Sequence, residues 1–150
     1  MGYIDENLMN GEQIIYRTKL HWILFLGPIA FTIIAFIFFA AGKNIAPVGI
    51  LFFLIAIVWA VSAFISFKTS EFGITNKRVL IKVGFIRRNS LETLLTKVEG
   101  IQVNQGILGR IFNYGTILIK GTGGTSNPFH KIEAPMQFRK KAQEQIASIQ

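Results

Sequence analysis

Two long apolar segments constrain this chain more than any other feature of its sequence. They are Trp22–Ala41 and Ile45–Phe67, and only residues 42–44 separate them. Neither segment contains an Asp, Glu, Lys, Arg or His residue. A bilayer core of about 30 Å needs about 20 helical residues, and both segments reach that length. A helix buried in a soluble protein usually keeps a polar face, which both segments lack, so we predict a transmembrane hairpin over residues 22–67.

Basic residues around these segments predict their orientation. Arg17 and Lys19 precede the first segment and Lys68 follows the second, whereas the connecting loop carries only Lys43. The positive-inside rule therefore places both termini in the cytoplasm and the loop outside. A cleaved signal peptide is the alternative for the first segment. Its apolar stretch, however, exceeds the usual length of about 7–15 residues, and acidic residues precede it.

The remaining chain has room for one small domain. Residues 69–150 carry twelve Lys or Arg against five Glu, a formal net charge of +7. That charge suits a surface facing anionic lipid, and a charge that only keeps the domain soluble is an equal alternative. The chain has no cysteine, which excludes disulfides and thiol chemistry. Neither His21 nor His130 has a second histidine at metal-ligand spacing, so no metal site and no cofactor is predicted.

The sequence outside the hairpin favours β structure. Residues 1–21 are predicted to be a separate cytoplasmic segment, whose residues 14–16 favour an edge strand added to the later domain over an interfacial anchor. After Lys68, short segments alternate with turn residues, which indicates a β-rich cytoplasmic domain over residues 68–150. Strands are predicted at Ser70–Thr75, Arg78–Val83, within Ile86–Leu95, and at Val98–Asn104, Gly115–Gly121 and Phe129–Ile132.

Two helical elements complete the predicted domain. Residues 106–112 are few and flanked by glycine, and we predict a helical turn whose Ile107, Leu108 and Ile111 pack under the sheet. Pro135 suits the start of a terminal helix. That helix has an apolar stripe formed by Phe138, Ala142, Ile146 and Ile149. The predicted fold class is α+β: a two-helix transmembrane hairpin, then a bent antiparallel β-sheet or barrel with a C-terminal helix.

Several short motifs, in their order, carry a family resemblance. They are Phe72–Val79, Gly84–Arg88, Val98–Gln105, Ile107–Arg110, Tyr114–Thr116, Gly121–Gly124 and Ala134–Arg139, with a lead-in of Gly11–Glu12, Tyr16–Arg17 and His21–Trp22. Together they resemble the bacterial pleckstrin-homology-like (PH-like) domains of the YdbS type. The resemblance implies a strongly bent sheet closed by one C-terminal helix, at the inner membrane of a bacterium. It does not imply phosphoinositide binding, and it leads us to expect oligomerisation or a membrane-protein partner.

A glycine-rich loop is the one candidate anion-binding site in the sequence. Its backbone N–H groups, if exposed, would form a nest for a phosphate or a lipid headgroup. The residues of this candidate site are Lys120, Gly121, Thr122, Gly123, Gly124, Thr125, Ser126, His130 and Lys131. The loop lacks the spacing of a P-loop, and a flexible strand connection is the alternative.

Two basic pairs are candidates for contact with the membrane surface. They are Lys77 with Arg78 and Arg87 with Arg88, all predicted at strand ends. Solvated strand ends are the alternative interpretation of both pairs.

Other functional classes fit this sequence poorly. A nucleic-acid-binding protein would need a basic helix stripe or interleaved aromatic residues, which are missing. Acid–base catalysis needs positioned groups, yet the carboxylates are scattered, and Glu92 and Glu99 are expected to be exposed. No catalytic residue is therefore predicted. We predict a non-enzymatic, membrane-anchored domain for protein–protein interaction or self-assembly, with anionic headgroup binding as the alternative.

Overall fold

The computed structural model describes residues 2–84, 88–124 and 126–150 and divides the chain into two compact units. The hairpin unit is Trp22–Lys68. The strand unit combines Met1–His21 with Thr69–Gln150. The N-terminal segment therefore belongs to the same unit as the later strands, and the edge strand predicted at residues 14–16 is confirmed. The N-terminal segment pairs with and covers a sheet, as described below.

The helices are α1 (Tyr3–Glu6), α2 (Leu26–Ala40), α3 (Ala46–Thr69), α4 (Ile107–Phe112) and α5 (Pro135–Ile149). The strands are β1 (Ile14–Thr18), β2 (Glu71–Thr75), β3 (Arg78–Val83), β4 (Asn89–Leu94), β5 (Val98–Asn104), β6 (Tyr114–Gly121) and β7 (Ser126–Glu133). Short 3-10 turns at Trp22–Phe25 and Leu95–Lys97 precede α2 and β5.

The hairpin unit consists of two long apolar helices that meet through small residues. Ala35, Ala56 and Ala63 are buried, whereas most of the large apolar side chains are exposed. A Cβ atom on Gly49 would lie 2.9 Å from the Phe39 ring, so glycine permits the close approach. By length and composition, Trp22–Ala40, which includes the 3-10 turn before α2, and α3 are each long and apolar enough to span a membrane.

The strand unit contains two antiparallel sheets, with strand orders β1-β2-β3-β4 and β5-β6-β7. The chain beyond β1 joins them, because Leu20 forms a bridge with Ile132 and the N–H of His21 donates to the carbonyl of Lys131 at 2.7 Å. Helix α5 packs against both sheets and buries Phe138. The predicted antiparallel sheets with a C-terminal helix are confirmed.

Alternating apolar residues form the interior, as the two-residue period of a strand requires. Ile117 and Ile119 of β6 are buried, as predicted, and so is Phe72 of β2. Leu80 lies on the opposite face of β3 from Val79 and is nevertheless buried. Both faces of the four-stranded sheet are therefore covered.

The N-terminal helix α1 supplies the second cover. Ile4 is 1% exposed and packs on Gly73, where a Cβ atom would lie 2.6 Å from the Ile4 Cδ1 atom. The Glu71 carboxylate accepts hydrogen bonds from the N–H groups of Tyr3 and Ile4 at 2.9 and 3.1 Å. Because these N–H groups open a helix and have no intrahelical partner, Glu71 acts as a cap provided by a distant strand.

Helix α4 differs from its prediction. Residues 107–112 are helical, but Ile107, Leu108 and Ile111 are 82%, 58% and 68% exposed. Gly109 is the buried residue instead, and a Cβ atom there would lie 2.6 Å from the carbonyl oxygen of Tyr114. The prediction that these three side chains pack under the sheet is therefore wrong, because the helix rests on the protein through its glycine.

Candidate functional site

One end of the strand unit holds both points where its chain is interrupted. The unit's first segment ends at His21 and its second begins at Thr69. These residues share an end because Thr18 of β1 pairs with Phe72 of β2. We name it the chain-exit end. Tyr114 lies there as well, since its ring centroid is 5.2 Å from that of His21.

The predicted glycine-rich loop lies at the opposite end. Gly121 ends β6 and Ser126 begins β7, so the loop is the tip of the β6–β7 hairpin. Gly123 and Gly124 have φ values of +99° and +78°, the region that glycine adopts without strain. Lys120 pairs with Ser126 beside the tip. Six strand residues of about 3.3 Å each place Lys120 about 20 Å from Tyr114. Thr125 lies outside the described residues.

His130 and Lys131 are not brought to the loop. They follow Ser126 by four and five residues along β7, so about 13–17 Å separates them from the hairpin tip. His130 Nδ1 lies 3.0 Å from Thr116 Oγ1. Lys131 has a φ of +56° in the irregular part of β7, and its carbonyl accepts the His21 N–H at the chain-exit end. The candidate anion site is thus divided between two ends of the unit.

Arg78 is buried rather than at the surface. Its Nε and Nη2 atoms donate to the two carboxylate oxygens of Glu12 at 3.0 and 3.1 Å. Its Nη1 donates to Glu92 at 2.6 Å, and Nη2 also donates to the Asn7 carbonyl. The prediction that Arg78 faces lipid is wrong, because carboxylates compensate its charge inside the protein. Lys77 is exposed and donates to the Asn10 carbonyl at 2.8 Å.

Glu12 completes this polar network. Its carboxylate accepts hydrogen bonds from Thr75 Oγ1 at 2.6 Å and from the Met9 N–H at 2.7 Å. Burial raises the pKa of Glu12, but the hydrogen bonds from Arg78, Met9 and Thr75 outweigh it and lower the pKa to about 2. Sequence spacing gave no sign of this pair, whose members are 66 residues apart.

Only Arg88 of the second basic pair lies among the described residues. The N–H of Gly84, which follows β3, donates to Ser70 Oγ at 3.2 Å, so Gly84 lies beside the start of β2. Arg88, which directly precedes β4, is exposed. Arg87 lies outside the described residues.

An apolar surface on α4 is the feature that sequence reasoning missed. We name Ile107, Leu108 and Ile111 the α4 apolar surface. It lies at the chain-exit end because α4 rests on Tyr114. The spacing of these residues signalled an apolar face but did not indicate whether protein covers it.

A cleft of about 360 Å³ lies beside β4. Within the described chain, β4 pairs with β3 on one side and has no strand partner on the other. The cleft is lined by Leu91, Glu92, Thr93, Leu94, Lys97, Ile119, Gly121, Thr122 and Asn127. An unpaired strand edge offers backbone N–H and C=O groups to a further strand.

Among residues 2–84, 88–124 and 126–150, no group of three or more His, Cys, Asp or Glu side chains could hold a metal ion.

Comparisons with known proteins give one match. The model of the family described as "Bacterial PH domain" matches residues 24–146, which include both apolar helices and most of α5. Searches of curated proteins and of solved structures found no match. Strand β1 precedes the matched residues although it belongs to the strand unit.

Proposed function

The chain belongs to the bacterial PH domain family, and from that premise we propose that it is a non-enzymatic binding protein anchored in the bacterial cell membrane. Its two long helices span the bilayer, and its strand unit binds a partner at the cytoplasmic face. The observation that carries the anchoring is the exposure of large apolar side chains along both helices. Exposed apolar surface of this extent suits lipid rather than water.

The flanking charges support cytoplasmic termini. Cysteine labelling tests this topology, because the chain has no cysteine of its own. Single variants Lys43→Cys and Gln150→Cys are treated in intact cells with a thiol reagent that cannot cross the membrane. We expect labelling of position 43 in intact cells and of position 150 only after permeabilisation. Labelling of position 150 in intact cells would reverse the topology, and extraction of the protein by alkaline carbonate would contradict anchoring.

The leading role of the strand unit is protein–protein interaction or self-assembly. The unpaired edge of β4 and its adjacent cleft support this role, because an extended segment of a second protein or a second copy would add to the sheet there. Apolar Leu94 and ionic Lys97 line the cleft and would contact alternate side chains of such a segment.

Photo-crosslinking in native membranes tests this role. A photoreactive residue replaces Leu94, which is 42% exposed, and a control replaces Ile149, which is 43% exposed in α5. We expect one discrete protein adduct from position 94, weakened when Lys97 is changed to Glu, and none from position 149. Equal adducts from both positions, or lipid adducts alone, would count against binding at β4.

Anionic headgroup binding through residues 121–126 is the second candidate, supported by the glycine-rich hairpin tip and Lys120. Its separation from His130 and Lys131 weakens it. A fluorophore on Asn127→Cys, beside the tip, measures it in vesicles with and without phosphatidylglycerol. A signal that is unchanged by lipid charge or salt would reject this candidate.

We propose that the protein has no catalytic activity. Three described carboxylate groups are engaged in ion pairs, Asp5 with Arg17 and both Glu12 and Glu92 with Arg78. A carboxylate held in this way is not poised to exchange protons near neutral pH.

A further inference from the structure

We propose that the α4 apolar surface inserts into the interfacial layer of the membrane and orients the strand unit against the bilayer. This inference rests on the proposed anchoring and adds a second, separate membrane contact. It concerns a different part of the unit from the β4 cleft, so both surfaces are available together.

The geometry of α4 directs its apolar side chains outward. At 100° per residue, Ile107, Leu108 and Ile111 lie within one arc, and Gly109 lies on the other side of the helix. Gly109 faces Tyr114 so closely that no side chain fits between them. The helix therefore has its protein contact on the glycine side and its three aliphatic side chains on the exposed side.

The position of the α4 apolar surface favours lipid as its binding partner. The α4 apolar surface lies at the chain-exit end, where the strand unit is interrupted by the apolar helices. A unit tethered there by two spans stays within reach of the bilayer, so even a weak membrane contact is occupied. The hairpin tip, about 20 Å away along β6, lacks this advantage.

The charged residues near α4 also favour contact with lipid. Residues 104–114 contain Arg110 and no acidic residue. Arg110 is exposed on the same helix, and exposed Lys131 lies at the same end of the unit. Basic residues beside an apolar helix face are the pattern of helices that lie in the headgroup layer.

Size argues against a second copy as the occupant. Helix α4 has six residues and is about 9 Å long. A stable protein interface uses about 20–30 residues on each side, far more than this surface offers. Insertion into a bilayer has no such minimum, because the spans already provide the affinity.

Fluorescence of the full-length protein in vesicles of phosphatidylcholine and phosphatidylglycerol tests the inference. Single-cysteine variants carry an environment-sensitive fluorophore: Leu108→Cys on α4, Ser148→Cys at the exposed end of α5, and Ile57→Cys within α3. Each is exposed to aqueous iodide and, separately, to lipid with a spin label on its acyl chain. We expect the label at 108 to be several-fold less quenched by iodide than the label at 148, and to be quenched by the spin-labelled lipid.

Three results would overturn the inference in distinguishable ways. Equal iodide quenching at 108 and 148, with the label at 57 quenched by lipid, would reject insertion and leave the anchoring intact. Shielding of 108 from iodide without quenching by lipid would show that protein covers α4. Failure of lipid to quench the label at 57 would reject the anchoring itself, and the inference with it.

Discussion

The two short helices of the strand unit, α1 and α4, differ in whether their isoleucine side chains are buried. Helix α1 buries Ile4 to 1% exposure on Gly73, whereas α4 leaves Ile107 82% exposed. Helix α1 faces a glycine of the neighbouring strand, Gly73, which leaves room for the Ile4 side chain. In α4 the glycine that contacts the protein, Gly109, belongs to the helix itself, so Ile107 lies on the exposed side. The position of one glycine thus decides whether the apolar side chains of a short helix are buried or exposed.

The polar network that holds the N-terminal segment is expected to give the largest effect. Replacing Arg78 with Ala leaves the Glu12 carboxylate buried without its cationic partner, so we expect a loss of about 4 kcal/mol in the free energy of unfolding of the strand unit. Hydrogen exchange of the full-length protein in detergent measures it. Lys141→Ala is the control, since its ion pair with Glu144 is exposed. Equal effects of the two variants would contradict the network's role.

Replacing Ile4 with Ala tests the cover that α1 forms. The side chain is fully buried, so its truncation should cost about 3 kcal/mol and raise exchange first in β2 and β3. Hydrogen exchange resolved by peptide would detect this order. Uniform loss of protection across both sheets, or none, would show that α1 is not a separate cover.

The pH dependence of stability tests Glu12. Its folded pKa, about 2, lies below the ordinary value of 4.5, so its contribution is complete above the ordinary value and is lost as pH falls toward 2. Between about pH 6 and about pH 3 we expect the wild type to lose about 2 kcal/mol more than Glu12→Gln does. Unfolding measured at both pH values gives this difference, and parallel losses would mean that the pKa of Glu12 is not lowered.

The smallest effect is expected on α4. Ile107→Ala repeats the Ile4 substitution at an exposed position, and the stability in detergent should change by less than about 0.5 kcal/mol. The same hydrogen-exchange measurement applies. A loss as large as that of Ile4→Ala would show that Ile107 is packed inside the protein and would remove the contrast between the two helices.

Local patterns predicted the regular elements of the strand unit well. The alternation around Ile117 and Ile119 identified β6, and Pro135 with the stripe through Phe138 identified α5. Such patterns succeed because a strand or a helix exposes its period within a few residues. The candidate site was predicted less well. Its residues were grouped because they are close in sequence. In an antiparallel hairpin, however, each residue after the tip lies farther from the tip along the strand.

The sequence alone determined that two segments are long and apolar enough to span a membrane, because length and the lack of ionisable residues are local properties of the chain. It also determined where most strands lie. Only the tertiary structure decided that Arg78 is buried against Glu12 and that Ile107 is exposed. The first outcome depends on a contact between segments 66 residues apart. The second depends on the close approach of Gly109 to the Tyr114 carbonyl, which the apolar spacing of α4 alone does not indicate.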